Sequence, residues 1–431
     1  MHHHEFEKQE GNILTRSFFV LLALVMIGAC LVVIRFAKGV GAITNMSDGY
    51  PWGLWLSYDV AVGSAMACGG YAMGFLIYIR NRMRYHPMIR SCLLTSMFGY
   101  ALAGLSVMID IGRPWNAYNF FVPSRWQINS VMFEVAMCIM GYTVVLIIEF
   151  MPAVLYSLET SKWRRLREFA DSLPPFLAPD KVKMEAHIQR VSNTAGLIRP
   201  ILEKALVFFI ALGVTLPTMH QSSLGSLLLI AVTKLHPLWH TGFLPLLFLI
   251  NCIYLGYAMV VFESIFSSHA YKRPYEIREL SGVGSIIPWL TALWLAVTFG
   301  DLAYRHQLAA AFCLDFYSCV FLVNVALLVA GSLILVGAKN RKSPRRLFAA
   351  AVLIILGGGL YRMCVYLIGF NPGAGWRYFP SVSEVMVSVS IVAFEILAYQ
   401  VLIKLVPVLP RVGLHDPETL GTNKPKQTVT A

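Results

Sequence analysis

The sequence predicts an all-α integral membrane protein of about ten transmembrane helices, on three observations. Of its 431 residues 57% are hydrophobic and 13% charged, with a mean hydropathy of +0.64. A soluble domain has roughly 45–50% apolar and about 25% charged residues. Ten stretches reach the roughly 20 mainly apolar residues that a span requires: 17–37, 54–79, 91–111, 130–155, 199–219, 241–266, 286–304, 313–337, 347–369 and 384–407. The basic residues alternate with them, twenty-five falling in one set of loops and tails and seven in the other. The basic set marks the cytoplasmic side, so both termini are expected there. The net charge of +12 is thereby assigned to topology, and nucleic acid is not expected as a partner.

Taken in order, residues 1–16 form a polar cytoplasmic tail without a cleavable signal pattern, and the three histidines near its start are left out of metal arguments. Residues 17–407 read as a single polytopic domain. Its weakest span is 286–304, which is short and ends on Asp301. The stretch 222–235, SSLGSLLLIAVTKL, is apolar but too short to cross and reads as a re-entrant or interfacial turn. The connector at about 158–198 is charged and broken by Pro174, Pro175 and Pro179, which predicts a surface hairpin or amphipathic pair rather than a domain. Residues 408–431 read as a polar, disordered cytoplasmic tail. Eight scattered cysteines include no CxxC pair, which supports neither a disulfide framework nor an iron–sulfur cluster in this chain.

The polar residues concentrate around Gly104–Glu134, GLSVMIDIGRPWNAYNFFVPSRWQINSVMFE. Asp110 ends the third span and Glu134 lies just inside the fourth; between them come Arg113, Trp115, Tyr118, Arg125 and Trp126. A carboxylate within a span costs about 2.5–3.5 kcal/mol on insertion scales and is a functional candidate by default. One reading is a local ion pair between Asp110 and Arg113 that staples the helix ends. The other is a small redox molecule received from the lipid, with a carboxyl trading its proton while neighbours hold the carbonyl oxygens. His220, at the end of the fifth span, is a second proton donor in that reading, and His236 in LHPLWH a weaker candidate.

Further candidates are placed by depth. Asp59 lies in the outer half of the second span, Arg362 in the outer half of the ninth and Glu395 near the middle of the tenth, while Glu149 and Glu263 lie towards the cytoplasm. Together they form a possible proton path. Arg362 needs an internal carboxylate partner on this reading, with Asp59, Glu134 and Glu395 as choices; a buried structural pair and proton conduction are both open. GGYAMG and LGGGL fit close helix packing. No histidine falls in mid-span, so a haem held by two histidines is not expected, and no nucleotide or flavin fingerprint is present. Any quinone bound here must then exchange electrons through a partner.

PWGLWLSYDVAVGSAMACGGYAMG, FGYALAGLSVMIDIGRPWN, NSVMFE, LPTMHQSSLGSLL, LHPLWHT, DFYS and FNPGAGWRYFP resemble the NrfD/polysulfide-reductase membrane-subunit family. Within it they are most similar to the HybB branch, the membrane subunits of quinone-reducing nickel–iron hydrogenases, over about residues 50–410. The resemblance implies ten helices as two four-helix bundles, spans two to five and six to nine, flanked by spans one and ten. It implies a bacterial inner-membrane subunit without haem that binds menaquinone or ubiquinone near the outer face, beside a periplasmic iron–sulfur subunit and, through it, a hydrogenase. Quinone binding falls to Asp110, Arg113, Trp115, Glu134, His220 and His236, and proton chemistry to Glu134, Asp110 and His220. The 158–198 connector is longer than in that branch. The same fold in a sulfur-metabolising (DsrP-like) or alternative complex III assembly, and a proton or ion transporter without redox partners, remain the alternatives.

Overall fold

In hydrocarbon a backbone N–H or C=O has no water to bond, so apolar stretches of this length close their hydrogen bonds internally as helices. The computed structural model describes residues 6–160 and 181–411. Its main helices are α1 (Arg16–Lys38), α2 (Trp55–Ile79), α3 (Ile89–Asp110), α4 (Val131–Thr160), α5 (Lys181–Leu227), α6 (Leu244–Ala270), α7 (Ile287–Tyr304), α8 (Phe316–Val336), α9 (Pro344–Ile368) and α10 (Val382–Leu405). Nine of these, with α7 counted together with the short helix Ile277–Gly284 before it, are long and apolar enough to cross a membrane among the described residues. The remaining expected span, 199–219, is the central part of α5, a helix of 47 residues.

Helices α2–α5 pack as one four-helix bundle and α6–α9 as a second. The two bundles meet where α2 lies on α6 and α9, and α5 on α6. Gly256 of α6 is needed there: a Cβ on it would stand 2.7 Å from the Cys68 carbonyl oxygen of α2, and small residues are what let membrane helices approach so closely. Helices α1 and α10 do not stand on opposite flanks. They pair with each other, and α10 also packs on α3 and α2.

Helix α2 is irregular. It opens with a π-helical stretch at Trp55–Val62, breaks at Ala67–Cys68 between two short α-helical pieces, and closes with a second π stretch at Phe75–Ile79. Such backbone survives in a membrane only inside protein, and α2 is 78% buried over its central window, against 6% for α1. Helix α9 likewise ends in a π turn at Cys364–Ile368.

One expectation is corrected. The stretch 222–235 is no single turn: α5 continues to Leu227, a 3-10 turn covers Leu228–Ile230, and only the chain beyond it turns, with Leu235 bridging to Phe370. The expected hairpin or amphipathic pair at 158–198 falls in part on residues 161–180, outside the described residues; 181–198 are the start of α5, which the Arg199–Glu159 pair holds to α4 at 2.9 Å. Residues 1–5 and 412–431 of the two tails also lie outside the described residues. The parts of the tails nearest the helices form a clasp. β1 (Phe6–Glu7) pairs antiparallel with β2 (Leu409–Pro410), Arg90 stacks 3.9 Å over the Phe6 ring, and Arg273 pairs with Glu7 at 2.9 Å.

Candidate functional site

The segment between α3 and α4 is a run of 3-10 turns, started by Pro114 and restarted by Pro123, whose fixed φ suits the first position of a turn. It is ordered by its own side chains: Trp126 Nε1 donates to the Phe120 carbonyl at 2.9 Å, and Arg125 donates to the Tyr118 hydroxyl at 2.9 Å. Trp115 and Phe121 stay 69% and 77% exposed. Arg113 is exposed too and does not pair with Asp110. The charges that bear on Asp110 are those of Glu384 and Arg35. Arg35 is buried and spends its guanidinium on the carbonyls of Ile109 and Ile111, which leaves Asp110 Oδ1 buried without a hydrogen bond. The local staple considered for Asp110 is not formed; Arg35 of α1 instead ties down the backbone on either side of Asp110.

Glu134 is half-buried in the first turn of α4, where the helix N-terminus favours a negative charge. His220 is not a residue at a span end. Because α5 runs on to Leu227, His220 sits fully buried on the axis of the first bundle. Its Nε2 lies 3.2 Å from Ser64 Oγ, and its Nδ1 points towards the Val135 carbonyl, next to Glu134, without closing a good hydrogen bond. Gln221 donates to Ser64 Oγ at 3.1 Å and to the Tyr100 hydroxyl at 3.2 Å; Tyr100 in turn contacts Cys68 Sγ at 3.3 Å and meets Tyr142 edge-on at 4.5 Å. Each helix of the bundle thus contributes to one polar axis. His236 stands apart, in the loop before α6, stacked on Tyr317 with ring centroids 4.5 Å apart. Burial holds its imidazole below the usual range, opposed by Asp315.

Arg362 is fully buried between the bundles, yet no carboxylate pairs with it among the described residues. Its guanidinium donates to Asn251 Oδ1 at 2.5 Å, to the Ala61 carbonyl at 2.8 Å and to the Phe248 carbonyl at 2.8 Å. The expected partners Asp59, Glu134 and Glu395 are replaced by Asn251 and two backbone oxygens, one of which lies in the first π stretch of α2, where the regular hydrogen-bond ladder is disturbed.

The other candidates separate into two places. Asp59, Glu263 and Glu395 line one cavity of about 380 Å³ between α2, α3, α6 and α10. Ser388 donates to Asp59 Oδ2 at 3.0 Å, with Ser106 also bonding it, while Thr95 and Tyr399 flank Glu263. Glu149 lies elsewhere, in a cavity of about 20 Å³ within the first bundle, and Arg362 lines neither. Sequence reasoning missed Glu384, which is fully buried, accepts from the backbone N–H groups of Asn45 (3.0 Å) and Ser381 (2.8 Å), and takes the Tyr378 hydroxyl. The signal was present as Ser381-x-x-Glu384, a capping box before an apolar run. Ser64, Tyr100 and Gln221 carried no such signal.

The family model for polysulphide reductase, NrfD, matches residues 42–371. The chain is 36% identical, over 96% of its length and 97% of the relative's, to the probable Ni/Fe-hydrogenase 2 b-type cytochrome subunit of Escherichia coli (strain K12). It is 24% identical, over 87% of each chain, to the menaquinone reductase integral membrane subunit of Nitratidesulfovibrio vulgaris. To a selenate reductase subunit of Mesobacillus selenatarsenatis it is 23% identical over 59% of its length and 57% of the relative's. The name of the Escherichia coli relative, a b-type cytochrome subunit, overturns the expectation that the chain carries no haem, and that expectation is withdrawn. For such a group His220 offers a fully buried imidazole, its Nδ1 turned towards the Val135 carbonyl and its Nε2 3.2 Å from Ser64 Oγ. The other described histidines lie in loops, at helix ends or, as His187, in the early turns of α5, and supply no second imidazole facing it from mid-span. No step below is routed through a haem.

Proposed function

Because the chain belongs to the polysulphide reductase, NrfD family, we propose that it is the quinone-binding membrane subunit of a respiratory oxidoreductase. It passes electrons between a partner iron–sulfur subunit on the outer face and the menaquinone or ubiquinone pool. The partner complex favoured is a periplasm-facing nickel–iron hydrogenase, on the end-to-end similarity to the hydrogenase 2 subunit. The names of other relatives, a menaquinone reductase and a selenate reductase, keep another reductase assembly as the second reading.

The observation that carries the reading is the placing of Glu134 and His220. Two groups of the first bundle support it: Glu134, half-buried in the first turn of α4, and His220, fully buried with Nε2 3.2 Å from Ser64 Oγ. Reducing a quinone to its quinol takes two electrons and two protons. The electrons come from the partner; the protons need groups that hold them at the ring oxygens. Glu134 takes that role, with Asp110 and His220 behind it, and Arg113, Trp115 and His236 around the entrance. Asp59, Glu395 and Glu263, which line one cavity, form the supply towards the basic face, with Glu149 inside the first bundle and Arg362 between the bundles as separate members of the proposed proton path.

Two measurements test this. Copurification should recover a hydrogenase; a multihaem cytochrome would support the second reading, and no partner at all a transporter. Glu134→Gln keeps shape and hydrogen bonding but removes the proton. It should leave assembly intact, lower quinone-linked turnover by about ten-fold or more, and spare turnover with a soluble dye that draws electrons from the partner. Wild-type quinone reduction in an assembled Glu134→Gln complex would remove Glu134 from the mechanism.

A further inference from the structure

The cavity between α2, α3, α6 and α10 has features that a proton supply does not use. Helices α6 and α10 meet only sparsely, where Tyr399 lies beside Glu263 and Ser267, and a fissure opens between them on the apolar surface. Its rim carries Phe266, Val392 and Ile396, which are 54%, 39% and 39% exposed. Its volume of about 380 Å³ falls within the roughly 300–1,000 Å³ of small-molecule sites. Met66, Leu102, Met259 and Phe262 make most of the wall apolar.

The carboxyl groups on that wall come from three helices. Tyr58 and Asp59 come from α2, Glu395 and Tyr399 from α10, and Glu263 from α6. Glu263 Oε1 and the Tyr399 hydroxyl are buried and close no good hydrogen bond. No Lys, Arg or His lines the cavity, so a neutral carboxyl costs less there than a carboxylate. A neutral carboxyl and a phenol are hydrogen-bond donors, and they seek acceptors. A bare metal ion would need converging carboxylates, and among the described residues no cluster of three or more ligating groups exists.

We infer that this fissure binds an isoprenoid quinone, ring inside and chain in the lipid-facing mouth, at a place distinct from the 104–134 corner. A quinone ring is flat and apolar, with acceptor oxygens on opposite edges. One edge faces Tyr58, Asp59 and Glu395, and the other Glu263 and Tyr399. The prenyl chain follows Phe266, Val392 and Ile396 out into the bilayer. This rests on the quinone reading above and adds a second, more deeply buried place for the same ligand class; no electron transfer there is required.

The test uses the purified complex in lipid nanodiscs, a photoreactive azido-1,4-naphthoquinone bearing a short prenyl chain, and peptide mapping. Saturable labelling is expected on residues 259–271 and 391–400. Ile396→Trp narrows the mouth at a partly exposed position where folding should tolerate it. It should weaken that labelling by about ten-fold while leaving any label in 104–134 unchanged. Labelling confined to 104–134 would overturn the second site and leave the quinone reading standing. No saturable labelling anywhere would remove both. Fissure labelling competed equally well by a prenyl hydrocarbon without a ring would show an acyl-chain crevice and overturn the proposal.

Discussion

Replacing Arg362 by Met tests how the two bundles are joined. Met is similarly long and apolar, so the volume is nearly kept and the change is chiefly loss of donors. Three acceptors then lose their partner inside the protein: the Ala61 and Phe248 carbonyls and Asn251 Oδ1. A buried acceptor left without a donor costs about 1–3 kcal/mol, which for three gives roughly 3–9 kcal/mol. Hydrogen bonds between membrane helices measured by mutant cycles average only about 0.6 and reach about 1.7 kcal/mol, which gives roughly 2–5. Even the lower figure is a large part of a typical total of about 5–15 kcal/mol. The expected outcome is a clear fall in melting temperature by fluorescence-detected size exclusion in one fixed detergent. Arg362→Lys, with a single donor centre in place of a fork, should fall between the two. An Arg362→Met protein that melts within about 2 °C of the parent would show that these three bonds do not join the bundles.

Three other outcomes are expected. Gly256→Ala should destabilise by about 1–3 kcal/mol, because the new Cβ meets the Cys68 backbone, which cannot turn aside; Gly41→Ala, with nothing within 4 Å, should stay within about 0.5 kcal/mol, and thermal melts of both compare them directly. Ser64→Ala removes the oxygen shared by His220 and Gln221 and should cost about 1–3 kcal/mol, read as faster exchange of amides in α5. A reporter fused after Ala431 should signal cytoplasm and one placed at Asn116–Asn119 the outside; the reverse pattern would move the proposed quinone corner to the wrong face.

Helix positions were largely legible because hydropathy is a property of consecutive residues. The span expected at 17–37 is found at Arg16–Lys38. The site was less legible because its contacts are not consecutive. Arg35, near the end of the first expected span, carries no sign of a partner in the sequence, yet it is buried and bonds carbonyls at the end of α3 more than seventy residues later. Arg362 was assigned a carboxylate because backbone oxygens freed by a π turn leave no mark in composition. His220 was placed at a span end because Gln221, Ser222 and Ser223 interrupt the apolar run, but those residues are helical, and Gln221 and Ser223 turn inward. The exclusion of haem rested on histidine depth and on the family resemblance, and a relative's name outweighed both.

The clasp between Phe6–Glu7 and Leu409–Pro410, together with the pairing of α1 with α10, sets an order of events during synthesis. The first helix to leave the ribosome has its chief partner in the last. Until Val382–Leu405 is made, α1 is held only near its end, by Arg35 on α3, and Phe6 has no strand to join. A chain cut short before α10 would therefore leave α1 without its main neighbour and Phe6–Glu7 without a strand to pair.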